Sequence, residues 1–112
     1  MHFNEFLQFI EREDGRLRER FGEFPDLKMR ILARTVKISE EVGELCEQVL
    51  SANAMQRTEK TKASNRESLS DEFADVVITT FLLAKTMDVD MVDALRKKIL
   101  KINGRYEQRD AS

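Results

Sequence analysis

The chain has 112 residues, 41% hydrophobic and 36% charged, which suits one soluble domain with one core. Only four glycines and one proline punctuate it, too few for a many-stranded sheet with tight turns. Nineteen Lys plus Arg against 21 Asp plus Glu leave a net charge of −2, which argues against a sequence-independent nucleic-acid binder with a basic face.

The 3.6-residue period marks four helical segments. Met1 to Ile10 carries Glu5 and none of the small residues of a signal-peptide cleavage site. The first helix is expected from about Asn4 to Phe21, with Phe6, Ile10, Leu17 and Phe21 on one side and a bend at Asp14-Gly15. Gly22 and Pro25 mark a turn, after which Asp26 stands where an N-cap belongs. The second helix carries Ile31, Ile38, Val42, Leu45 and Val49 on one stripe, with Leu32, Val36, Cys46 and Leu50 beside it, and continues to about Ala52. Cys46 is the only cysteine, which excludes an intrachain disulfide and a cysteine metal cage; its apolar surroundings predict a small core residue.

Asn53 to Ser70 breaks the pattern. Arg57, Glu59, Lys60, Lys62, Arg66 and Glu67 sit among serines and threonines with almost nothing apolar, so a flexible connection is expected over 53–70. Ser70 is read as the N-cap of a third helix reaching about Thr86. Phe73, Val76, Val77, Ile78, Phe81, Leu82, Leu83 and Ala84 make that helix apolar almost all round, as in a bundle or an oligomer. Its longest apolar run, Val76 to Ala84, contains two threonines and is too short to cross a bilayer, so a cytoplasmic protein without a membrane partner is expected. Asp90 caps a fourth helix, with Asp93 in the capping-box position and Met91, Leu95, Ile99, Ile102 and Tyr106 keeping the period. The expected fold is an all-α, four-helix bundle-type subunit in a single domain over 1–112. Two large apolar faces predict a core completed by oligomerisation, as a homodimer or homotetramer.

Against this background the informative residues are acids. Glu41 and Glu44 are three apart and project from neighbouring turns of one helix face, and Glu72 and Asp75 repeat that spacing at the start of the most apolar helix. Like charges so placed repel, and burying them costs several kcal/mol per ion without compensation. Hard oxygen ligands on two antiparallel helices suit Mg²⁺ or Mn²⁺, with coordination positions left for water and phosphate. Solvated acids of a helix first turn are the plain alternative for Glu72, but Glu41 and Glu44 are mid-helix, where the macrodipole gives no reason for them.

Glu40-Glu41-Val42-Gly43-Glu44-Leu45, followed after a gap by Glu72-Phe73-Ala74-Asp75-Val76, resembles the EExxE…ExxD signature of MazG-like all-α NTP pyrophosphatases. Lys101-Ile102-Asn103-Gly104-Arg105-Tyr106 is similar to the basic element late in the last helix of that family. The resemblance covers roughly residues 30–106. It implies hydrolysis of the α–β linkage of (d)NTPs to the monophosphate and pyrophosphate, in nucleotide-pool house-cleaning. It also implies Mg²⁺, with Mn²⁺ as an alternative, on Glu41, Glu44, Glu72 and Asp75. Glu40 is then placed to hold a second ion or orient the attacking water. Lys37, four residues before Glu41, is placed to reach either that carboxylate or a phosphate; Lys101 and Arg105 on the last helix are expected near the phosphates, with Asn103 toward base or sugar.

One departure concerns the base. Where some relatives carry an aromatic residue four after the ExxD aspartate, this chain has Thr79, and it has no tryptophan, which leaves Phe24 or Tyr106 for stacking. The stretch 53–70 is also placed to close over a triphosphate as a lid. Three other readings compete. A di-iron bundle needs Glu-x-x-His pairs, and the one histidine is His2. A non-enzymatic helical interaction module predicts no loss of function when the carboxylates go. Phosphoribosyl-ATP pyrophosphatase, a member of the same superfamily by resemblance, shares the chemistry with a different substrate.

Overall fold

The computed structural model describes the backbone of residues 1–21, 26–53 and 59–111, with the side chains of 21, 59–65, 110 and 111 left out. The described residues are all-α: α1 (Phe3–Phe21), α2 (Leu27–Ala52), α3 (Glu59–Thr86) and α4 (Met91–Ala111). Both aspartate caps form. The Met29 amide donates to Asp26 Oδ1 at 2.8 Å, and the Asp93 amide to Asp90 Oδ1 at 3.0 Å. Asp93 does not reach back to complete a capping box; its carboxylate pairs with Arg96 and Lys97, both at 2.9 Å.

Three expectations need correction. α1 runs unbroken through Asp14-Gly15. Its aspartate is buried and ion-paired, so it is a packing residue and does not mark a bend. α3 begins at Glu59, well before Ser70. Ser70 lies inside the helix, its hydroxyl donating to the Arg66 carbonyl at 3.1 Å. The expected connection is therefore helical from Glu59 onward; residues 54–58 lie outside the described residues. Cys46, finally, is exposed.

α2 and α3 form the main pair, packed antiparallel, and α1 lies against α3. The β-branched run of α3 is helical, and the hydroxyls of the helix's threonines bond back to its own carbonyls. Thr79 donates to the Asp75 carbonyl (2.8 Å), Thr80 to that of Val76 (2.7 Å) and Thr86 to that of Leu82 (2.9 Å). The core is small. Ile10, Phe81 and Leu82 are buried, with Phe6, Leu7, Leu17, Ile78 and Met91 packed around them. Phe6 meets Phe81 edge-on at a centroid distance of 4.9 Å.

Of the two α2 stripes, the first is half-buried at Ile31, Ile38 and Leu45, while its Val42 and Val49 stay exposed. The other remains open, with Val36 66% and Leu50 74% exposed. α3 ends in a Schellman-type turn: Val89 N–H donates to the Ala84 carbonyl (2.9 Å) and Asp88 N–H to that of Lys85 (3.1 Å). Asp88 takes φ 60° to close it. Beyond Met91, α4 stands nearly clear of the other helices, with Leu100 67% exposed. The radius of gyration is 18.1 Å, against about 13 Å for a compact chain of this length.

Candidate metal centre and adjoining cleft

Antiparallel pairing of α2 and α3 sets Glu41 opposite Glu72 and Asp75. One carboxylate oxygen from each of the three lies within 4.8 Å of the others. Glu41 is buried and Glu72 and Asp75 are half-buried. The i, i+3 spacing of Glu72 and Asp75 aims both at the same turn of α2. Glu44, half-buried on the next turn, lies outside this three-residue group, yet its charge acts on Glu72.

The electrostatics are those of acids crowded without enough positive charge. Burial, then the negative charges of Glu44 and Glu41, pushes the Glu72 carboxyl up to about 7. Asp75 is raised by burial and then by Glu41 and Asp71, and Glu44 chiefly by Glu41. Lys37 offsets part of this: its Nζ is 3.1 Å from Glu41 Oε1 and 3.6 Å from Glu40 Oε2. The hydrogen bond to Glu41 raises the Lys37 pKa and holds it charged.

One oxygen each of Glu41 and Glu72 (Oε2 in both) is nevertheless buried with no hydrogen-bond partner among the described residues. An unpartnered buried carboxylate oxygen is costly, and a hard divalent cation satisfies it. The donor set therefore fits Mg²⁺ or Mn²⁺.

The other expected site residues are placed differently. Glu40 is on the outer face of α2, its side chain 54% exposed and turned to Lys37. Lys101, Asn103 and Arg105 are exposed on α4, which the chain does not fold back onto α2 and α3. Tyr106 is likewise exposed, and Phe24 lies outside the described residues.

Sequence reasoning missed a cleft of about 500 Å³ that opens from Glu41 and Asp75 and runs between α1, α2 and α3. Its lining combines the apolar side chains of Leu17, Ala33, Ile78 and Leu82 with Arg18, Arg30, Arg34 and Lys37. Arg34 clasps the three helices together. Its Nη1 is 2.8 Å from Asp14 Oδ1 on α1 and donates to the Leu82 carbonyl of α3 at 3.1 Å. Arg18 reaches the other oxygen of Asp14 at 3.4 Å. The available signal was the spacing of Arg30, Arg34, Lys37 and Glu41, which puts all four on one face of α2.

Residues 32–112 match the sequence model of the MazG-like family. Searches of curated proteins and of solved structures returned no match.

Proposed function

The chain belongs to the MazG-like family, and from that premise we propose that it hydrolyses nucleoside triphosphates, (d)NTPs, to (d)NMP and pyrophosphate. The observation that carries this reading is the convergence of Glu41, Glu72 and Asp75, with two buried oxygens left unpartnered. Glu41, Glu44, Glu72 and Asp75 would hold Mg²⁺, with Mn²⁺ as an alternative. The ion supplies charge neutralisation for the phosphate oxygens and the departing pyrophosphate.

The chain's own groups account for the rest. Water attacks the α-phosphorus, the α–β P–O bond breaks, and its electron pair leaves on pyrophosphate. Glu40, exposed at the edge of the carboxylates, orients the water and accepts its proton. Lys37, held by Glu41 and Glu40, faces the phosphates as a fixed positive charge.

Lys101, Arg105 and Asn103 serve the site from the α4 of a second copy in a homodimer or homotetramer. Two observations support that arrangement: α4 leaves its apolar residues uncovered, and an apolar hollow of about 790 Å³ lies among Phe3, Phe6, Phe9, Phe73, Val77 and Phe81. The pool-cleaning role and a cytoplasmic location belong to the same proposal. In keeping with it, no helix among the described residues is long and apolar enough to cross a membrane.

The test is release of pyrophosphate and monophosphate from a panel of dNTPs and NTPs, with Mg²⁺ and with EDTA. Metal-dependent release that disappears in Glu41→Gln is the expected result. A folded protein that turns over no nucleotide would sink the proposal and favour another phosphorylated substrate or a binding module.

A further inference from the structure

We propose that the cleft beside the carboxylates receives the nucleoside end of the substrate, and that Arg30 reads the base there, selecting an edge with two adjacent hydrogen-bond acceptors. The inference rests on the nucleotide reading above and deepens it.

The first question is which part of a nucleotide the cleft accepts. Its cations look suited to phosphate, but most are already committed. Arg34 is bound to Asp14 and the Leu82 carbonyl and Arg18 to Asp14, while Lys37, paired with Glu41 and Glu40, serves the phosphates at the carboxylate end of the cleft. The lining between them includes Leu17, Ala33, Ile78 and Leu82, apolar surface against which a charged phosphate would lose its hydration uncompensated. A planar base buries its faces there at no such cost. The volume of about 500 Å³ falls within the usual size of a small-molecule site.

Reach agrees with this orientation. Arg30 precedes Glu41 by three turns, or about 16 Å of helix axis. A nucleotide with its α-phosphate at the carboxylates and Lys37 and its sugar beside Thr79 brings the base toward Arg30. Thr79 lines the cleft with its hydroxyl turned back to the Asp75 carbonyl, so it leaves space where a larger side chain would fill it.

Arg30 is the one cation of the cleft with no ion pair among the described residues. Its Nε is buried there without a hydrogen-bond partner. A guanidinium only donates, and it donates in a planar fork. Its complement on a base is a pair of neighbouring acceptors: N7 and O6 of guanine, or N3 and O2 of cytosine. Adenine, thymine and uracil each interrupt such a pair with a donor.

The experiment titrates α,β-methylene analogues of dGTP, dCTP, dATP and dTTP into the protein with Mg²⁺ by calorimetry. Turnover of the four natural dNTPs is followed in parallel. Wild type, Arg30→Lys and Arg30→Met are compared, with helical content checked by circular dichroism. Wild type should bind the guanine or the cytosine analogue about tenfold or more tightly than the adenine one, and the panel separates those two sources. Arg30→Lys keeps the charge and loses the fork, so it should lose most of that preference. KM should rise for the favoured base, so the spread of kcat/KM across the four dNTPs should narrow.

A wild type that binds all four analogues equally, or variants that retain its ranking, would overturn the assignment of Arg30 while Mg²⁺-dependent turnover persists. Wild-type protein that neither binds nor hydrolyses any nucleotide removes the pyrophosphohydrolase reading itself, and this inference with it.

Discussion

Two helices of this chain carry regular rows of charge, and the structure treats them differently. On α2, Arg30, Arg34, Lys37 and Glu41 lie on one face and line a cleft closed by α1 and α3. On α4, Lys98, Lys101 and Arg105 recur at a similar spacing and remain in solvent. In sequence the rows are equivalent. Periodicity identifies a face of a helix, and what that face meets is decided by contacts between residues far apart in the chain. Arg34 and Leu82, 48 positions apart, supply the contact for α2; the charged row of α4 has no such contact among the described residues.

The comparison breaks most visibly at Glu41. Replacing it with Gln should lower Mg²⁺-dependent pyrophosphate release at least 100-fold, about 3 kcal/mol in the barrier. The same change should raise the melting temperature in EDTA, because one member of a repelling group is gone. Mixing Glu41→Gln chains with a Lys101→Ala, Arg105→Ala double variant sharpens the point. If the α4 row acts across a dimer, the mixture regains about a quarter of wild-type activity, since half the dimers are hybrids with one intact site each. Mixtures that regain nothing would return the α4 row to the solvent.

Next in size is Arg34→Met. It strands Asp14 in the interior and removes a donor from the Leu82 carbonyl, and urea unfolding should show a loss of about 3 kcal/mol. Lys98→Met on α4 should change stability by no more than about 0.5 kcal/mol. Adding Asp14→Leu to Arg34→Met should recover much of the loss, because the stranded charge is then gone.

A pH dependence of folding comes from the carboxylates that α3 sets against the α2 row. The Glu72 carboxyl sits at about 7 when folded, against an ordinary value of 4.5, so the folded state holds its proton more tightly than the unfolded chain. Its contribution is complete below pH 4.5 and is lost as the pH climbs toward 7. Thermal melts in EDTA should fall across that window, and Mg²⁺ should restore more at pH 7.5 than at pH 5. The smallest effect expected is at Asp88→Gly, where relief of the left-handed backbone should add about 0.5 kcal/mol.

The parts of this molecule that were readable in advance depend on neighbours in sequence. Asp26 and Asp90 announce the helices they cap, and the i, i+3 acids announce a shared face. The start of α3 was hidden because its first turns carry no apolar stripe, so a polar helix and a connection look alike. Cys46 lies on an apolar stripe that finds no cover within the chain, and periodicity alone placed it inside. Asp14 was read through the glycine beside it, although its partner lies on another helix. The cleft was invisible for the same reason: Leu17, Arg30 and Ile78 come from three helices, and no local pattern joins them.

The turn at Asp88 has a mechanical consequence. Arg105 lies about 21 Å along α4 from Met91 at 1.5 Å per residue, so a rotation of about 10° at the turn carries it roughly 4 Å. Met91, next to the pivot, hardly moves and stays against the core. The helix is a pointer on a short axle, and its aim is set where it is mounted. An inserted or deleted residue within 87–90 would misdirect Lys101, Asn103 and Arg105 together, while changing any one of them leaves the bearing of the other two intact.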